Sequence, residues 1–139
     1  MKIFNVKSKK IPGTRYSEVN KKAYYFYLQI KSRSKRRPYI RSKYFNKEKI
    51  FLELFWVHLR EKKNMNDKTR RAKYFHCAIE LIERSNYEPI SKENPNKRSE
   101  LLHRFAGLTK DDELFFVQIK EDKRSGKKWL ISVFPLKNK

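Results

Sequence analysis

Three features of the 139-residue sequence predict an α+β fold. Two stretches in the middle carry apolar residues at helical spacing. After residue 96 the period changes to two, as in strands. The basic residues come in blocks rather than being spread evenly. Together these features describe one domain: a basic β-like arm over 1–45, a two-helix hairpin over 46–84, and an antiparallel β-meander over 85–139, with the helices packed on one face of the sheet. A chain of this length buries a core without staples, and its 38% hydrophobic and 14% aromatic content can fill one.

The arm begins with the basic block Lys7–Lys10 and a Pro12-Gly13 turn. The run Ala23-Tyr24-Tyr25-Phe26-Tyr27-Leu28-Gln29-Ile30 reads as a strand, because aromatic and aliphatic residues dominate it. Lys31 to Arg37 carries five Lys or Arg in seven positions and ends at Pro38, so it reads as a solvated loop or a phosphate-contacting arm. Tyr39–Phe45 is the returning strand of a hairpin.

Asn46 then serves as an N-cap. Ile50, Phe51, Leu54, Phe55 and His58 form an apolar stripe, which Trp56 and Leu59 widen. Asn66-Asp67 offers a second cap, and Ala72, Phe75, Ala78, Ile79 and Ile82 make a second amphipathic helix over 68–84. Residues 85–96 include Pro89 and Pro95 and read as a loop. Strands follow over 101–106, ended by Gly107, and over 114–121. A turn over 122–126 joins the latter to a partner strand over 127–134, stopped by Pro135.

Lys and Arg number 36 and Asp and Glu 15, a net charge of +21. Packing like charges together costs self-repulsion, and a polyanion relieves it with release of counterions. Nucleic acid is the expected partner, RNA first and DNA as the alternative. A membrane is not expected: no basic amphipathic helix stands out, and there is no apolar run of ~18 residues and no secretory signal. The lone Cys77 fits a reducing, cytoplasmic setting and reads as a small core residue.

Alternation along the last two strands sorts their residues into faces. Phe115, Val117 and Ile119 on one strand, and Trp129, Ile131 and Val133 on the other, should face the helices. The opposite side then carries Gln118, Lys120, Lys128 and Ser132 among Phe116, Leu130 and Phe134. Cations for phosphate and aromatics for bases suit a nucleotide. His103 and Arg104 are adjacent, so only one of them joins that side. An imidazole is the natural acid or base near neutrality, and an arginine the natural phosphate clamp. His58, on the apolar stripe, and His76 read as structural. Glu121 and Asp122 read as solvated turn acids. No His/Cys or carboxylate cluster has metal-ligand spacing and no Gly-rich phosphate loop exists, so no cofactor and no metal is expected.

Three segments carry a family likeness: His103-Arg104-Phe105-Ala106-Gly107, then Phe116-Val117-Gln118-Ile119-Lys120-Glu121, then Lys127 through Pro135. With the lead-in Phe55-Trp56-Val57-His58-Leu59, they make the chain from about residue 39 to 135 resemble the phage-associated branch of the barnase–EndoU–colicin–RelE-like nucleases. The resemblance implies metal-independent RNA cleavage by 2′-hydroxyl attack, often by toxins or conflict-system effectors, and an acidic antitoxin or immunity protein as partner. It places the active positions on His103 or Arg104, Lys120 and Ser132. Arg33, Lys35, Arg36, Arg37, Gln118, Lys127 and Lys128 would hold the phosphate backbone. The competing expectation is a binding protein without catalysis that grips phosphates through its arm and sheet face.

Overall fold

A computed structural model of the chain describes residues 2–34 and 36–136 and has the α+β architecture that the patterns predict. The predicted meander is present. β5 (Lys97–Leu108) pairs antiparallel with β6 (Leu114–Asp122), which pairs antiparallel with β7 (Lys128–Pro135). Gly126, at φ 77°, supplies the left-handed residue that closes the β6–β7 turn. Phe115, Val117, Ile119, Leu130 and Val133 are fully buried beneath the helices.

The N-terminal third differs from the expectation. The aromatic run over 23–30 is not a strand but the middle of an 18-residue helix, α1 (Tyr16–Arg33). Its buried residues are Val19, Ala23, Tyr27 and Ile30, which recur at spacings of four, four and three. That is one helical stripe. The β-favouring aromatics between them masked it, since β-propensity yields readily to packing context. Tyr25, Phe26 and Leu28 are exposed on this basic helix, against the expectation that no basic amphipathic helix stands out. Among the described residues no helix is long and apolar enough to cross a membrane.

β2 (Tyr39–Ser42) therefore has no partner in 23–30. It pairs antiparallel with β3 (Glu48–Phe51), which occupies the start of the expected first helix. Asn46 is not an N-cap but a turn residue: it and Lys47 take φ 55° and 65°, and Asn tolerates that conformation well. The helical region is α2 (Glu53–Glu61), α3 (Met65–Lys73) and α4 (Phe75–Arg84), with α3 and α4 interrupted at Tyr74. The cap of α3 is Asn64, whose side chain accepts from the Asp67 N–H at 3.1 Å, two residues earlier than expected.

Two short strands went unread. β1 (Ile3–Asn5) lies parallel to the end of β5, and β4 (Ile90–Asn94), inside the expected loop, lies antiparallel to its beginning. The sheet order is β1-β5-β6-β7-β3-β2, with β4 on β5.

The strand β7 carries a bulge. Gln118 pairs with Ser132 but Ile119 pairs with Leu130, so Ile131 has no opposite residue. One extra residue reverses the facing of everything before it. The expectation that Trp129, Ile131 and Val133 share the buried face fails for this reason. Leu130 and Lys128 turn inward, and Trp129 turns outward.

The meander is packed to contact where β5 crosses α4. A Cβ on Gly107 would lie 2.4 Å from Phe115 Cζ and 2.8 Å from Leu81 Cδ1. Gly107→Ala is expected to lose about 1–3 kcal/mol of stability through overpacking. A denaturant titration checks this, and an unmoved midpoint would contradict the packing.

Candidate nucleic-acid interface

The register of β5 with β6 decides between His103 and Arg104. His103 pairs with Ile119, on the helix side, and Arg104 pairs with Gln118, on the open side. The sheet thus separates His103 from Arg104, Gln118, Lys120 and Ser132, and of the two candidates it is Arg104, not His103, that joins the open side.

His103 is 7% exposed and bonded at both ring nitrogens. Nδ1 meets Ser91 Oγ at 2.7 Å, and Nε2 meets Glu121 Oε1 at 2.8 Å. The edge of Phe45 closes the third side, 5.0 Å between ring centroids. Glu121 is therefore a partner of a buried histidine, not a solvated turn acid. Lys128, expected on the open face, is buried beside it. Its ammonium donates to Glu48 at 3.0 and 3.2 Å and to the Gly126 carbonyl at 3.0 Å, and it lies 3.9 Å from Glu121. A buried ammonium needs such company, because its desolvation is otherwise uncompensated.

The open face brings the other predicted residues together and adds Arg71, from α3, which sequence reasoning missed. Arg71 Nη1 donates to Ser132 Oγ at 2.8 Å, while its Nε is held by Asp67 Oδ2 at 3.1 Å. Arg104 Nη2 donates to Gln118 Oε1 at 3.3 Å. Both guanidinium groups sit over the Phe134 ring, Arg71 at 5.6 Å and Arg104 at 5.3 Å. Lys120 lies 5.0 Å over Trp129 and 3.4 Å from Glu100. Burial raises the pKa of the Glu100 carboxyl, but the Asn94 hydrogen bond and the Lys120 ammonium outweigh burial and leave it below the usual range.

A cleft of about 130 Å³ opens where α2 and α3 meet β7. β3 pairs only with Lys128 and Trp129, so beyond them α2, rather than a strand, lies beside β7. His58, Lys62, Arg71 and Ser132 line the cleft, over a floor that includes Phe55 and Ile131. His58 is exposed and is not the core histidine expected. The expected stripe began at Ile50 and Phe51, which are strand, and the buried side of α2 is Phe55, Trp56 and Leu59. The nearest carboxylate to His58 Nδ1, Glu61 Oε2, is 3.8 Å away, beyond a hydrogen bond. The volume is well below the ~300 Å³ of a small-molecule pocket, so the cleft suits a group the size of a phosphate.

Of the predicted arm, Arg33 ends α1, Arg33 and Arg36 are exposed, and Lys35 lies outside the described residues. Arg37 pairs with Glu53 and lies 4.3 Å over Phe51. Lys127 is exposed in the β6–β7 turn. Among the described residues no three His, Cys, Asp or Glu side chains converge as a metal site would require. Cys77 is buried, and burial pushes its thiol up to about 11, far from a reactive thiolate. Comparison with protein families, curated proteins and solved structures finds no match to the chain.

His76 has no place on this face. Its Nε2 meets the Lys9 carbonyl at 2.5 Å, its ring stacks on Phe26 at 5.1 Å, and its Nδ1 is buried without a partner. Burial lowers its pKa below 6.5; the Lys9 hydrogen bond and Glu80 oppose this only in part. The unfolded chain therefore binds the proton more readily, and stability should fall as pH drops below about 6.5 toward the lower folded value. Denaturant midpoints at about pH 7.5 and 5.5 test this. The loss should be smaller in His76→Gln, and an equal loss in both proteins would refute it.

Proposed function

We propose that this chain binds RNA on the open face of its sheet and cleaves it without a metal at the cleft between α2, α3 and β7. The observation that carries the proposal is the meeting of an exposed histidine, His58, with Lys62, Arg71 and Ser132 around a phosphate-sized space. Such cleavage needs a group to take the proton from the 2′-hydroxyl. It also needs cations against the charge developing on phosphorus, and a proton for the departing 5′-oxygen. His58 takes the first proton as the 2′-oxygen attacks phosphorus. Lys62 and Arg71 hold the phosphoryl oxygens. The P–O5′ bond breaks, and the 5′-oxygen recovers a proton from the imidazolium, leaving a 2′,3′-cyclic phosphate. Ser132, with its oxygen engaged by Arg71, keeps a hydroxyl hydrogen to donate.

This assignment keeps Ser132 from the site that the nuclease resemblance implies. Arg104 and Lys120 become contacts for the flanking backbone, and His58 replaces His103. An acidic neutralising protein would fit the same face.

The second reading is binding without cleavage. It draws on the cations and half-buried aromatics that cover the whole open face, which need no reacting group to grip a strand. Labelled RNA incubated in EDTA separates the two. The expected result is fragments ending in 2′,3′-cyclic phosphate, with His58→Ala slower by about 10²–10⁴-fold and His103→Gln retaining activity in proportion to its folded fraction. Intact RNA with a salt-sensitive mobility shift would leave the binding protein alone standing.

A further inference from the structure

The outward turn of Trp129 creates a feature that the cleft does not use. Tyr39, Phe51 and Trp129 are register partners on β2, β3 and β7, all on the open face. Their ring centroids are spaced 6.4 Å from Tyr39 to Phe51 and 6.4 Å from Phe51 to Trp129. Lys120 continues the row on β6. All three residues are half-buried. Each carries a cation: Lys49 at 4.7 Å over Tyr39, Arg37 at 4.3 Å over Phe51, and Lys120 at 5.0 Å over Trp129.

We infer that this row is a stacking track that selects single-stranded RNA and leads it across the strands toward the cleft. The inference rests on the reading of the open face as an RNA surface. The spacing supplies the selectivity. Stacked bases lie ~3.4 Å apart, as in duplex DNA, about half the ring spacing, so adjacent bases reach successive rings only when splayed apart. A paired strand would have to unstack and unpair to do so. The ring-capping cations fit the same occupant. As a base settles on a ring, the ammonium moves aside to the neighbouring phosphate, while the Arg37 guanidinium plane can stay and stack. Trp129 and Ser132 pair with Lys120 and Gln118, only two register positions apart because the bulge takes up Ile131, or about 7 Å along the sheet, so a strand leaving the track comes within one or two nucleotides of the cleft.

Trp129 is also a reporter, because the other tryptophan, Trp56, is only 3% exposed. The test titrates the full chain with a 2′-O-methyl uridine dodecamer, which lacks the attacking hydroxyl, with an RNA duplex of the same length, and with inorganic polyphosphate. The dodecamer should quench Trp129 fluorescence and bind about tenfold or more tighter than the duplex. Phe51→Leu and Trp129→Leu keep the apolar packing and remove a ring. With binding read by the anisotropy of a dye-labelled dodecamer and polyphosphate as competitor, a readout that survives the loss of Trp129, each should weaken the dodecamer by about 5- to 150-fold and leave polyphosphate binding unchanged. Equal affinity for dodecamer and duplex, or wild-type dodecamer affinity in both variants, would overturn the track while leaving the RNA surface intact. Failure of both dodecamer and polyphosphate to bind would overturn the surface and the track with it.

Discussion

The bulge at Ile131 decides what the open face is made of. Val133 is anchored in the core opposite Val117. Simple alternation back from it would bury Ile131 and Trp129 and expose Leu130 and Lys128. The extra residue reverses that order. Leu130 fills the core opposite Ile119, Lys128 enters the polar pocket around Glu48 and Glu121, and Trp129 comes out beside Phe51 and Lys120. Ile131 itself, with no strand residue opposite, falls into the floor of the cleft. Bulges re-aim side chains at the edges of sheets, and here one residue supplies the outer tryptophan, the inner lysine and the mouth of the cleft.

The two faces handle charge in different ways. On the helix side, Ser91, His103, Glu121, Lys128 and Glu48 form a chain of partners that spans β4, β5, β6, β7 and β3 and ends in the exposed Ser91 and Glu48. Its neighbours satisfy the buried His103 and Lys128, as polar groups enclosed by protein require. On the open side Arg37, Lys120 and Arg71 rest on aromatic rings as well as on the carboxylates of Glu53, Glu100 and Asp67, while among the described residues Lys49 and Arg104 rest on rings with no carboxylate beside them. A ring face attracts a cation without neutralising it. The positive charge is held in place yet remains available to a polyanion. That difference explains why exposed charge, rather than any one ionisable residue, defines this surface.

The meander was legible because β6 alternates cleanly and the turns carry Gly126 and the Asp-rich 109–113 stretch. The α1 helix was not, because a run of tyrosine and phenylalanine at mixed spacing favours strand locally, and only the buried set from Val19 to Ile30 reveals the helical period. β1 and β4 were illegible for another reason. Both are short and largely exposed, and backbone pairing to β5 holds them rather than any apolar pattern. At the site, the residue types were legible but their companions were not. Gln118, Lys120 and Ser132 share the open face as alternation suggested, and the register adds Arg104 to them. Nothing local announces that Arg71, 61 positions before Ser132, reaches it. Nor could alternation reveal the bulge that moved Lys128, since one unpaired residue leaves no mark on composition.

The cleft follows from how short β3 is. Had β3 continued past Phe51, a strand would have covered the β7 edge, and Ser132 would have stood in the middle of a closed sheet. Instead the chain passes through Leu52, fully buried, and becomes helical at Glu53. α2 then runs beside β7 with Phe55 and Leu59 packed down, leaving His58 and Lys62 at the rim. α3 brings Arg71 from the other side, fixed by its own Asp67 one turn earlier. A joint between a helix pair and a strand edge collects side chains from elements distant in sequence and leaves room between them, which a paired strand edge does not. On the proposed reading, the sheet face grips the strand and the joint does the chemistry. Loss of His58 would then remove cleavage and spare binding, whereas loss of the aromatic row would weaken binding and leave the cleft's own groups in place.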